Sequence, residues 1–189
     1  MTSPSHSPAM DTPDSYGIVT RTLHWSMAAI FAWQFTGATL HFFIEDAPVR
    51  NFFWSTHSSL GVLLLVLVFL RGAWGLANLS RRPSYQAGIL GCAAAAGHIL
   101  LYALMLAVPV LAVLRSYGRG RGLSVFGVQV FEARGTEIPH LIAPGAALHG
   151  LLGWTLLALV VGHIVMALVH HYALKDGALT RMARGQEAA

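Results

Sequence analysis

Four long windows of this chain hold no charged side chain: 22–44, 51–70, 83–114 and 138–174. An α-helix rises about 1.5 Å per residue, so about 20 apolar residues carry it across the hydrocarbon of a bilayer. Each window suffices for one crossing. They predict transmembrane helices at about 22–44, 52–74, 87–113 and 146–173, an all-α, transmembrane four-helix bundle. Composition agrees: 11% of residues are charged and 55% are hydrophobic, whereas soluble domains run near a quarter charged. The helical domain is expected over 17–176, with tails at 1–16 and 177–189. The polar start, rich in Ser and Pro, predicts a flexible tail and not a signal peptide, because no basic segment precedes the first apolar run.

Several classes are excluded early. Cys92 is the single cysteine, so no internal disulfide forms, and no C-x-x-C-H sequence offers a covalent haem attachment. The net charge of +4 comes from basic residues at helix ends and in one loop, with no aromatic–basic surface for nucleic acid. Four crossings place both termini on one side. That side would hold Arg21, Arg71, Arg81, Arg82, Lys175, Arg181 and Arg184; the other would hold Arg50, Arg115, Arg119, Arg121 and Arg134. The positive-inside rule weighs short loops and helix flanks most. It places both termini in the cytoplasm.

Within the last window, the stretch "HGLLGWTLLALVVGHIVMALVHHY" carries His149, His163, His170 and His171. From His149 to His163 a helix advances about 21 Å and drifts only about 40°. Those two imidazoles therefore share a face at opposite depths. His170, seven positions on, shares that face, and His171 is turned about 100° from it. His24 opens the first helix on the inner side, and His57 begins the second on the outer side. Depth then matches His57 with His149 and His24 with His163. Two imidazoles from facing helices can hold a haem iron from both sides, and bundle interiors are common cofactor sites. Bis-imidazole iron has no open position and suits electron transfer. Arg71, fourteen positions after His57, points inward at the inner level, where it can pair with haem propionates.

Other residues carry less specific signals. A membrane histidine also serves as a helix-to-helix hydrogen bond. His98 is read in that way, bonding a propionate or a quinone. His170 and His171 either anchor the inner interface with Tyr172 or face a quinone. His6 reads as a solvated tail residue, and His41 and His140 as interfacial. Trp25, Trp54 and Trp74 sit where aromatic belts are expected, and Pro109 is expected to kink the third helix. Gly61, Gly97, Gly150, Gly153 and Gly162 permit a close neighbour, either a helix or a flat cofactor. A histidine-lined zinc carrier is disfavoured, since zinc wants three or four ligands around one point.

The segments "TLHWSMA", "STHSSLGVLLLVLVFLR", "GHILLYALMLAVPVLAVL" and "LHGLLGWTLLALVVGHIVMALVHHYALKDGALTRM" resemble the bacterial cytochrome b561 family, over about Tyr16 to Arg184. That resemblance implies a four-helix membrane cytochrome with two b-type haems, one on His24 and His163, the other on His57 and His149. The family includes superoxide oxidases, which pass electrons from superoxide to ubiquinone. By that likeness the basic outer loop 115–137 draws superoxide through Arg115, Arg119 and Arg121, and a quinone lies near His170 and His171. The partners implied are lipid, quinone, superoxide, and either a redox partner protein or a second copy. The alternative is a cytochrome b subunit that relays electrons between quinone and a dehydrogenase docked on the basic loop.

Overall fold

The computed structural model describes residues 9–45, 47–83 and 88–184. Its helices are α1 (Ile18–Phe43), α2 (Pro48–Ser55), α3 (His57–Ala77), α4 (Ile89–Gly118), α5 (Pro139–Val169) and α6 (Ala178–Arg184). A hairpin of β1 (Arg121–Val125) and β2 (Val128–Ala133) joins α4 to α5, and a π-helical turn, His170–Leu174, follows α5. The expected positions of His6 and of the 87-end of the third helix lie outside the described residues.

Three stretches are long and apolar enough to cross a membrane: Pro48–Ala77, Ile89–Gly118 and Pro139–Leu174. The first helix, at 26 residues, is long enough but more polar, carrying His24, Gln34, Thr36, Thr39 and His41. Large apolar side chains point outward along the spans, Ile89, Leu76 and Ile99 among them at 88%, 74% and 70% exposed. Such a surface is costly in water and at home in hydrocarbon. Only small cores form inside. Met27, Leu64 and Val68 join α1 to α3, and Leu101, Leu104 and Leu156 join α4 to α5. Thus α1 packs on α3, α3 on α4, and α4 on α5.

The boundaries differ from expectation in instructive places. The second helix breaks at Thr56, whose Oγ1 donates to the carbonyl of Phe53 at 2.9 Å and accepts from Trp33 Nε1 at 2.9 Å. A threonine hydroxyl competes in this way for helical carbonyls. His57 therefore opens a new helix instead of lying inside one. The third helix runs on to Gly118, with Pro109 inside it, so Arg115 is a helical residue and the loop beyond is a hairpin. Its strands pair antiparallel, with Arg121 opposite Ala133 and an irregularity between Leu123 and Ser124. The last long helix starts at Pro139, where proline suits the first turn.

Of the two neighbours that the sequence allowed at its glycines, a helix or a flat cofactor, the helix is not found at four of the five. Among the described residues, nothing beyond the local helical backbone lies within 4 Å of where a Cβ would sit on Gly97, Gly150, Gly153 or Gly162, and at Gly61 the nearest is the Gln34 amide at 3.4 Å. Helices α4 and α5 instead meet at Gly118 and Gly145. A Cβ on Gly118 would stand 2.9 Å from Leu141 Cβ, and one on Gly145 would stand 2.7 Å from Arg115 Cβ. Segments near both ends of the described residues are tied to the bundle. Asp11, 3% exposed, accepts from the Gly17 N–H at 2.9 Å and pairs with Arg82 at 3.5 Å. Trp74 Nε1 donates to Thr20 Oγ1 at 2.9 Å, and Trp25 Nε1 to the carbonyl of Met182 in α6 at 3.2 Å.

Candidate functional site

Histidines collect at two levels. At the hairpin end, His57 from the first turn of α3 faces His149 of α5, ring centroids 6.2 Å apart and planes at 85°. At the opposite end, His24 of α1 faces His163 of α5 at 6.4 Å and 71°. A metal–imidazole bond is about 2.0–2.1 Å, so two rings on opposite sides of one metal stand roughly 6 Å apart. Both separations fit. Among the described residues, no group of three or more His, Cys, Asp or Glu side chains converges as a metal site. The arrangement is of pairs.

Hydrogen bonds define which ring nitrogen is available. A carbonyl only accepts, so His149 Nδ1 donates to Val108 at 3.0 Å and His98 Nδ1 donates to Ala94 at 2.7 Å. In each neutral ring Nε2 then carries the lone pair, the usual state of a metal-binding imidazole whose other nitrogen is anchored. His24 differs. A guanidinium only donates, so His24 Nδ1 accepts from Arg71 at 2.8 Å. Arg71 also lies over the Tyr102 ring at 5.8 Å. His98 is packed edge to face on His163 at 5.3 Å, so α1, α3, α4 and α5 each send one basic group to that level.

The hairpin end holds a cavity of about 410 Å³ lined by His57, His149, Trp54, Gly150, Gly153, Arg115, Arg119 and Arg121, among others. The open space over Gly150 and Gly153 is room for a flat group and not for a packed helix. All three arginines singled out in the sequence thus reach one cavity with the histidine pair. Arg134 does not join them. Its guanidinium lies over the Tyr117 ring at 4.1 Å and donates to the Tyr117 carbonyl at 2.7 Å.

His170 and His171 behave differently from the paired histidines. The α-helical rotation that put His163 and His170 on one face ends at Val169, where the backbone widens into the π-helical turn. His170 bonds Asp176 through Nδ1, and His171 packs on Tyr172 at 4.7 Å. Burial pushes the Asp176 carboxyl up, but the His170 hydrogen bond, the Ala178 N–H and the charges of His170 and Arg181 outweigh it. The carboxyl is held below its ordinary range. Sequence reasoning missed Asp176, although a carboxylate six positions after a membrane-edge histidine was the available signal. It also missed Gln34, buried in α1, whose amide donates to the His57 carbonyl at 3.0 Å.

A helical membrane protein with two histidine pairs stacked along one bundle is the class this geometry defines. The model of the prokaryotic cytochrome b561 family matches residues 15–185. The chain belongs to that family, whose members are membrane electron-transfer proteins, and it is a bacterial membrane protein. It is 32% identical to cytochrome b561 homolog 2 of Escherichia coli, over 91% of this chain and 93% of that one. It is 32% identical to a cytochrome b562 of Cereibacter sphaeroides, over 86% and 91% of the two chains. With a protein named probable superoxide oxidase CybB of Yersinia pestis it shares 30% identity, over 67% of this chain and 72% of that one.

Proposed function

We propose that this chain is a di-haem b-type cytochrome of four transmembrane helices that oxidises superoxide at the hairpin end and reduces a quinone at the other. Both termini lie in the cytoplasm and the hairpin faces the periplasm. Overall, two superoxide anions each give up one electron and leave as dioxygen, while one ubiquinone takes both electrons and two protons to become quinol. His57 with His149 would hold one haem, and His24 with His163 the other; bound between two imidazoles, each supplies one-electron transfer with no position open to dioxygen. The observation that carries this reading is the recurrence of one imidazole separation, 6.2 and 6.4 Å, at two levels of one bundle.

The chain's own residues do the rest. Arg115, Arg119 and Arg121 line the cavity beside His57 and His149. A positive, low-dielectric cleft raises the local concentration of a small anion and its on-rate. Arg71 is matched to a carboxylate, a stronger partner for a guanidinium than an imidazole lone pair. Arg71 would hold a haem propionate there, and His24, relieved of that guanidinium, would carry its proton on Nδ1 and leave Nε2 free. At the opposite end His170, held by Asp176 through Nδ1, presents Nε2 to a quinone with His171 and His98 nearby in the same half. An imidazole can take up a proton from the cytoplasm and hand it on.

The test is direct. Purified protein in detergent is given superoxide and a quinone, and quinol is followed by its ultraviolet absorbance. Quinol formation that slows as salt rises supports the reading; none, with two haems present, overturns it. A second reading keeps the haems and changes the donor. The hairpin exposes Phe126, Val128 and Val130 at 62%, 69% and 53%, an apolar edge on which a partner dehydrogenase would seat. Co-purification of such a partner, without superoxide activity in the isolated chain, selects it.

A further inference from the structure

His149 and His24 each have a hydrogen bond on Nδ1 that limits ring rotation. His57 does not. Its Nδ1 is buried and has no hydrogen-bond partner among the described residues. An imidazole turns about a soft torsion, and metal-binding histidines are ordinarily oriented by a partner on the second nitrogen. His57 nevertheless stands at 85° to His149. What lies against it is Trp54, the penultimate residue of α2, stacked at 4.5 Å and 23°. Trp54 is stacked in turn on His41 at 3.7 Å and 4°. His41 is fixed by Arg50, whose Nε donates to its Nδ1 at 3.1 Å.

We propose that Trp54 is the positioning residue that sets the ring plane of His57, and that His41 and Arg50 hold it in place. Thr56, between Trp54 and His57, stays in the right-handed helical region, at φ −91° and ψ −7°, so residues three apart lie on one side of the chain and stack face to face. Gln34 completes the arrangement by holding the His57 carbonyl at 3.0 Å. The backbone is anchored by a hydrogen bond and the ring by a stack. A ring held by stacking keeps its plane without committing Nδ1 to a carbonyl or carboxylate.

The inference rests on the reading that His57 and His149 share a haem, and the experiment separates the two. Electron paramagnetic resonance of the oxidised holoprotein reports the angle between axial imidazole planes. Near-perpendicular rings give a strongly anisotropic low-spin signal, and near-parallel rings a rhombic one. The signal lost in His57→Ala identifies the haem at the hairpin end. In Trp54→Leu its largest g value falls as the ring is freed, in Trp54→Phe it stays, and the other haem's signal is unchanged in both. Two haems with an unaltered signal in Trp54→Leu overturn the proposal. Should Trp54→Leu fail to hold the haem, His41→Leu carries the test: a smaller fall in the same direction supports the proposal, and an unchanged signal overturns it. If His57→Ala loses no haem, the underlying reading fails in the control itself and takes the inference with it.

Discussion

The imidazole of His149 donates through Nδ1 to the carbonyl of Val108 at 3.0 Å, a bond between α5 and α4 that fixes the tautomer on the helix carrying one member of each pair. Because Nδ1 holds the proton, Nε2 is the free nitrogen, and His57 lies opposite at 6.2 Å. His57→Ala and His149→Ala are expected to lose the same haem, taking haem per chain from two to one. His24→Ala and His163→Ala are expected to lose the other. Pyridine haemochrome assays and reduced-minus-oxidised spectra measure this, and the double variant His57→Ala/His149→Ala is expected to match either single one.

Arg119→Gln with Arg121→Gln removes two positive charges from the cavity at the hairpin end while leaving the histidines in place. Electrostatic steering contributes factors of about 10 or more to on-rates at low salt. Superoxide-dependent quinone reduction is expected to fall by about that factor, and its salt dependence to flatten. A stopped-flow series over ionic strength measures both. Arg134→Gln, a change at the guanidinium tied to Tyr117, is expected to leave the rate close to that of the parent.

Two glycines of α5 make opposite predictions. A Cβ at Gly145 meets Arg115 Cβ at 2.7 Å, while one at Gly150 meets nothing within 4 Å. Gly145→Ala is expected to force α4 and α5 apart and destabilise the fold by about 1–3 kcal/mol, the usual cost of overpacking. Gly150→Leu is expected to leave the α4–α5 contact intact but to fill the cavity and lower haem occupancy. Thermal unfolding in detergent and haem content separate the two.

The pairing of Asp176 with His170 gives a pH dependence of known sign. The folded carboxyl is held below its ordinary range, so its contribution is present above that range and lost as pH falls through the folded value. Amide protection in 170–184 is expected to be intact near neutrality and to drop in acid. Asp176→Asn is expected to show the low protection at every pH. Hydrogen-exchange mass spectrometry reads this directly.

The amino-acid sequence by itself determined that the chain is apolar and helical, and that His149 and His163 share a face two levels apart. Freedom from charge and helical rotation are properties of a single segment, so they can be read before anything packs. That His57 meets His149 also follows from depth, because segments that cross the same slab are in register by their ends. The tertiary structure alone decided the rest. The glycines at the helix contact are Gly118 and Gly145, and those over the cavity have no helix beside them, because composition does not tell which side of a helix its neighbour takes. The break at Thr56 depends on the indole of Trp33, donated from another helix. The stack of His41, Trp54 and His57 joins α1, α2 and α3. The widening at His170 is closed by Asp176 across a turn. Each of these depends on side chains from different segments arriving together, and that is set by how the helices rotate to bury their few shared cores.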